Sequence, residues 1–157
     1  MIAALALLAA SAQPVAVSAA DRFDALVGGW TCRGHFIKSG SPLASRLVIT
    51  RDAGTMALVI HHDDLPPTTY KSLETWTMLA DGSFRAAVAS AGNMRWYSAT
   101  GWQSDTLAWT RSEGAAPVEQ FAYTLTGPGK MRVDWSIARG GGPLALGDTL
   151  DCVRDAS

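Results

Sequence analysis

From residue 21 onward, apolar and polar side chains alternate in runs of six to eleven residues, broken by clusters of Gly, Pro, Asp and Ser. Period-two runs predict half-buried strands, because successive side chains on a strand point to opposite faces. The first five runs are Trp30–Ile37, Leu43–Arg51, Thr55–His62, Thr69–Leu79 and Ser83–Ala89. Met94–Thr100, Thr106–Arg111, Glu119–Thr126, Met131–Arg139 and Leu146–Arg154 follow. Turn chemistry separates them at Lys38–Pro42, Asp52-Ala53-Gly54, Ala80-Asp81-Gly82 and Gly127-Pro128-Gly129. The exception is Asp21–Val27, whose apolar residues at 23, 26 and 27 predict one or two helical turns. Asp21 is its expected cap and Gly28-Gly29 its end. No later segment is long and 3.6-periodic enough for a core helix, and no repeat or linker interrupts the chain, so a single domain over 21–157 is expected.

Short connections imply antiparallel pairing of consecutive strands. With about ten strands, an even number, the first and last run antiparallel and close the sheet into an up-and-down barrel. The only two cysteines, Cys32 and Cys152, lie on those terminal strands. In an oxidising compartment a lone pair is most simply a disulfide, the alternatives being a zinc pair or two buried thiols. If they face each other, Trp30 faces Arg154 and Gly34 faces Leu150, which brings an indole beside a guanidinium. A sandwich bridged between its terminal strands is the competing architecture.

Residues 1–20 carry no charged side chain. Two apolar stretches, Ile2–Ala10 and Val15–Val17, flank Ser11, Gln13 and Pro14, and the small residues Ser18 and Ala20 precede Asp21. That pattern predicts a cleaved signal peptide over 1–20, although the charged n-region is missing. Export to the periplasm or outside the cell follows as an expectation, with no membrane span after cleavage. Removal leaves 137 of 157 residues, enough for a core that does not depend on cross-links alone.

The short helix, the Gly28-Gly29-Trp30 opening of the first strand and Arg154 on the last together resemble the calycin superfamily of lipocalin-like and fatty-acid-binding-protein-like barrels. The resemblance implies that Trp30 packs at the closed end of the barrel under Arg154. The chain departs from lipocalins in ending three residues after Arg154, where they carry a helix. It departs from fatty-acid-binding proteins because Lys38–Pro42 leaves room for a turn but not a helical lid. It is more similar to small exported bacterial lipocalin-like proteins of uncharacterised function, so no ligand carries over.

Composition narrows the function classes. Lys plus Arg total 13 and Asp plus Glu 14, a net charge of −1, without the basic excess that nucleic acid requires. Nucleophile-elbow, zinc-protease and phosphate-loop motifs are missing, and no cofactor or metal is expected. A non-enzymatic, small-molecule-binding barrel is therefore expected, its ligand apolar or amphipathic. The alternatives are an envelope or interaction protein with a filled barrel, and an enzyme using a pocket carboxylate.

Candidate ligand-binding residues lie on two strands and one later tryptophan. Met94–Ser98 places Arg95 and Tyr97 on one face and Met94 and Trp96 on the other. Facing inward, Arg95 and Tyr97 could hold a ligand carboxylate, much as fatty-acid-binding barrels use an Arg-x-Tyr pair on their last strand; facing outward, they leave Trp96 in the core. Glu74 shares a face with Trp76, which draws it inward toward Arg95 or Arg132 as partner, and the Ala80–Gly82 loop would set Trp76 against Ala86. A solvent-facing Glu74 and a catalytic acid are the other readings. Trp76, Trp96 or Trp135 would form cavity wall according to register. His61-His62-Asp63-Asp64 is dense in metal-capable groups, but adjacent strand residues point apart, and a strand end is the simpler account.

Overall fold

The computed structural model describes residues 17–52, 54, 57–112 and 118–156. Positions 1–16 of the expected signal peptide lie outside the described residues, as do Ala53, Thr55 and Met56 of the second turn and third expected strand. One short helix, α1 (Ala19–Asp24), is followed by β1 (Gly28–Phe36), β2 (Pro42–Arg51), β3 (Ala57–Asp64), β4 (Lys71–Met78) and β5 (Phe84–Ser90). The second half supplies β6 (Asn93–Ala99), β7 (Trp102–Gln103), β8 (Thr106–Arg111), β9 (Glu119–Gly127), β10 (Lys130–Ile137) and β11 (Ala145–Arg154).

Ten of these strands form a closed antiparallel barrel in the order β6-β5-β4-β3-β2-β1-β11-β10-β9-β8, with β8 returning to β6. The two-residue β7, not expected from the sequence, hangs on the edge of β8. The terminal strands pair as the cysteines require: Cys32 faces Cys152, Trp30 faces Arg154 and Gly34 faces Leu150. Cys32 and Cys152 form a disulfide. Gly34 is obligatory here, because a Cβ would fall 1.7 Å from the Thr149 carbonyl oxygen, where β1 and β11 cross closely. The other seam is slight: β6 meets β8 through the pairs Tyr97–Arg111 and Ser98–Thr110, extended by a bond from the Ser112 N–H to the Trp96 carbonyl at 2.9 Å.

One end of the barrel is sealed. Phe23 and Leu26 plug it with no exposed surface, over Trp30, Phe84, Leu107 and Trp109. The Trp30 indole donates to the Leu26 carbonyl at 2.8 Å. Arg154 lies over the Trp30 ring at 4.7 Å and donates to the carbonyls of Ala25 and Val27. A single guanidinium thus satisfies carbonyls left unbonded after the helix and stacks on the first-strand tryptophan. The helix starts earlier than expected: its cap is Ser18, and Asp21 is the third helical residue of a capping box, accepting from the Ser18 hydroxyl at 2.7 Å. The hydroxyl bond, and then one from the Ser18 backbone N–H at 3.2 Å, hold the Asp21 carboxyl below its ordinary pKa.

Candidate ligand-binding site

The end opposite α1 is open and hollow. Even-spaced inward positions near the ends of β1, β3, β8 and β10, and the starts of β2, β6, β9 and β11, surround a cavity of about 630 Å³. Phe36, Leu43, Phe121, Val133, Trp135 and Ile137 give it an apolar wall. Below it, Glu74, Trp76, Tyr97, Trp109 and Tyr123 enclose a second void of about 20 Å³, room for a single water. His62, Tyr70 and Phe121 border both.

The β6–β8 side of the cavity is built around Glu119. Its side chain is 7% exposed and accepts from the Tyr97 hydroxyl at 2.6 Å and from the Trp135 indole at 3.3 Å. Arg95 and Arg111 approach the same carboxylate oxygen from β6 and β8 at 3.8 and 3.7 Å. Those separations give ion pairing without a hydrogen bond to Glu119, so both guanidinium forks keep donors for another anion. The Arg111 Nε is buried and has no partner among the described residues. Burial, and then the donated bond to Glu119, push the Tyr97 hydroxyl far above its ordinary pKa, so it stays a donor.

A second polar group lines the β3–β11 side. Asp64 accepts from the Ser45 hydroxyl at 2.6 Å and lies 3.1 Å from the His62 Nε2. Asp148 faces the same space from β11. Burial, followed by the Asp64 charge, raises its carboxyl pKa to about 6, and His62 offsets only part of this.

Of the residues singled out in the sequence, Arg95 and Trp135 line the main cavity. Tyr97 is buried beneath Arg95 and lines the small void. Met94 and Trp96 point outward, 56% and 44% exposed, so Trp96 is no cavity wall. Trp76 faces Ala86 and Met78 faces Phe84, as the three-residue loop requires. Glu74 is drawn inward with Trp76, but neither expected arginine binds it. Its oxygens accept from the Ser72 hydroxyl at 2.7 Å and the Trp76 indole at 2.9 Å. Arg132 lies outside the barrel, paired with Asp151 at 3.0 Å. His61 and Asp63 point outward while His62 and Asp64 point inward, and no metal-holding cluster exists among the described residues.

Sequence reasoning passed over Glu119, Arg111 and Asp148. The signals were present as parity: Glu119 alternates with Phe121 and Tyr123, and Asp148 with Leu150 and Cys152. An inward cysteine and inward aromatics should have drawn both carboxylates inward with them.

Fold and site together define a closed antiparallel β-barrel, sealed at one end and hollow at the other. No protein-family model matches the chain, and no curated protein matches it. Among solved structures, the crystal structure of Rv2717c from M. tuberculosis is similar, with a TM-score of 0.69 over 89% of this chain and 99% of that one. Identity is 14%, so the likeness shows the shared barrel fold alone.

Proposed function

We propose that this chain is an exported, calycin-like binding protein, non-enzymatic, which holds a small amphipathic molecule in its open-end cavity. The observation that carries the reading is the pairing of an apolar wall with Arg95 and Arg111. A cavity of about 630 Å³ falls in the range of small-ligand sites. Two guanidinium groups around one carboxylate leave an excess positive charge, suited to a carboxylate head, while the aromatic and aliphatic wall takes the apolar body. The disulfide and the lack of a membrane-length apolar helix among the described residues support export.

Displacement of a fluorescent fatty acid from the purified barrel, with native mass spectrometry of the complex, tests the proposal. Arg95→Ala should weaken binding about tenfold, the effect of losing one charge-assisted bond. Equal affinity in wild type and variant would remove Arg95 from the site.

The interaction-protein reading draws on a different surface. Leu73, Met94 and Trp96, 46%, 56% and 44% exposed, cluster on the outer face of β4–β6. An outer contact there is compatible with an occupied cavity. The enzymatic reading rested on Glu74, whose oxygens are engaged by Ser72 and Trp76 below the cavity rather than presented to a substrate.

A further inference from the structure

The charged side chains of the cavity are sorted by wall. Arg95 and Arg111 stand on β6 and β8, which are neighbours at the seam, and Glu119 between them is the lone anion of that side. Asp64 and Asp148 stand on β3 and β11, with the His62 imidazole beside them and no Lys or Arg on that side among the described lining residues. Around the ring, β4 and β5 separate β6 from β3, and β9 and β10 separate β8 from β11. The positive pair and the acidic pair are therefore diametrically opposed across the hollow. Phe36, Leu43, Phe121 and Val133 supply low-dielectric surface between them. Each side holds charge its own neighbours do not neutralise, and a partly buried uncompensated charge is costly until something pairs with it.

We propose, resting on the binding reading above, that the cavity selects a dipolar ligand, with a carboxylate held by Arg95 and Arg111 and a protonated amine held by Asp148 beside Asp64. The two walls fix the ligand's direction as well as its charge, since reversing it would set like charges together. Asp64 is already engaged by Ser45 and His62, whereas Asp148 accepts no hydrogen bond from a side chain among the described residues, which makes it the principal contact for the amine. Groups facing Asp148 are His62 and Asp64 from β3, Phe36 as its partner on β1, and Arg95, Arg111 and Glu119 across the hollow. Asp134 on the adjacent β10 is turned to the Thr149 hydroxyl at 2.5 Å.

Proton linkage gives a second signature. The Asp148 carboxyl titrates at about 6, and an incoming cation favours its ionised form, so binding releases a proton near that pH. Affinity for an amino carboxylate should fall as pH drops below about 6, more steeply than affinity for a plain carboxylate.

Calorimetry with the purified barrel separates the alternatives, using linear alkyl carboxylates, alkylammonium ions and ω-amino carboxylates over a series of chain lengths. At near-neutral pH the best amino carboxylate should bind about tenfold tighter than the carboxylate of equal length. Asp148→Asn should erase that advantage and leave plain carboxylate affinity within about twofold, while Arg95→Ala weakens both. Asn is close in shape to Asp and removes an unfavourable charge, so folding is retained, and the pH profile of the unmutated protein provides an independent reading. Equal affinity for the two ligand types at every length, with no effect of Asp148→Asn, would overturn the dipolar assignment while leaving the binding proposal intact. Failure of every carboxylate to bind would overturn both.

Discussion

Asp148 shows how one side chain's surroundings become a property of the whole protein. Its carboxyl binds a proton more tightly in the folded than in the unfolded chain, with a folded value of about 6 against an ordinary 3.8. The folded state therefore holds more protons between those values, and stability falls as pH rises through that window. Asp148→Asn should raise the melting temperature at pH 7.5 by roughly 2–4 °C and leave it unchanged near pH 3.5, where both proteins carry a neutral group. Thermal unfolding of the two proteins across that pH range is the measurement, and an equal difference at both ends would contradict the assignment. Glu119, by contrast, stands between two guanidinium groups. Glu119→Gln keeps an acceptor for the Tyr97 hydroxyl, sets an amide NH2 against the Trp135 indole N–H, and leaves Arg95 and Arg111 facing each other without an anion. Denaturant unfolding should show a loss of about 1–3 kcal/mol, at the lower side for a broken buried pair because both arginines retain some solvent. High salt should restore part of it.

Among the elements, β1 and β11 have more consequences than any other pair. Their register joins the chain ends, and Arg154 extends that junction to α1 by bonding the carbonyls of Ala25 and Val27. Arg154→Lys keeps the charge but loses the planar fork that serves two carbonyls and a ring at once, and should cost about 1–3 kcal/mol in denaturant unfolding. Replacing both cysteines with alanine opens a loop of 120 residues, which should lower stability by about 3–5 kcal/mol without changing the far-ultraviolet spectrum, since the ladder remains. These terminal contacts were legible in the sequence because a cysteine pair converts strand alternation into absolute register. The strand bounds were legible for a similar reason, with turn residues marking each end. The site was only half legible. Arg95 and Tyr97 could be placed on one face, but the choice of face depended on β6 meeting β8 past the short β7, a contact that no local pattern encodes. Glu74 was seen as an inward anion, yet its Ser72 and Trp76 donors sit two residues away on its own strand, nearer than the arginines sought for it elsewhere. The helix cap moved to Ser18 because the Ser18–Asp21 reciprocal pair satisfies more backbone groups than Asp21 alone.

Across the whole molecule, rigidity and emptiness are divided between the two ends. The sealed end stacks Phe23 on Phe84 and Trp76 on Trp109 and Tyr123, and both α1 and Arg154 hold it shut. Mutations there should report on stability. The open end keeps volume that its side chains could have filled, and keeps charged groups on opposite walls at an energetic cost, so substitutions there should report on binding. Ile137 distinguishes the two roles, since it lines the cavity near the end of β10 and is only partly buried. Ile137→Trp extends an indole into the hollow without displacing packed core atoms. Its melting temperature should stay within about 2 °C of the parent, because no native contact of the sealed end is disturbed. Affinity for an amphipathic carboxylate should drop about tenfold or more, through lost volume rather than lost charge. Calorimetry should then show a weakened carboxylate with the same pH dependence as the parent, whereas Arg95→Ala changes the response to salt. A bulky residue that left affinity unchanged would place the ligand outside the barrel, on the outer face that carries Leu73, Met94 and Trp96.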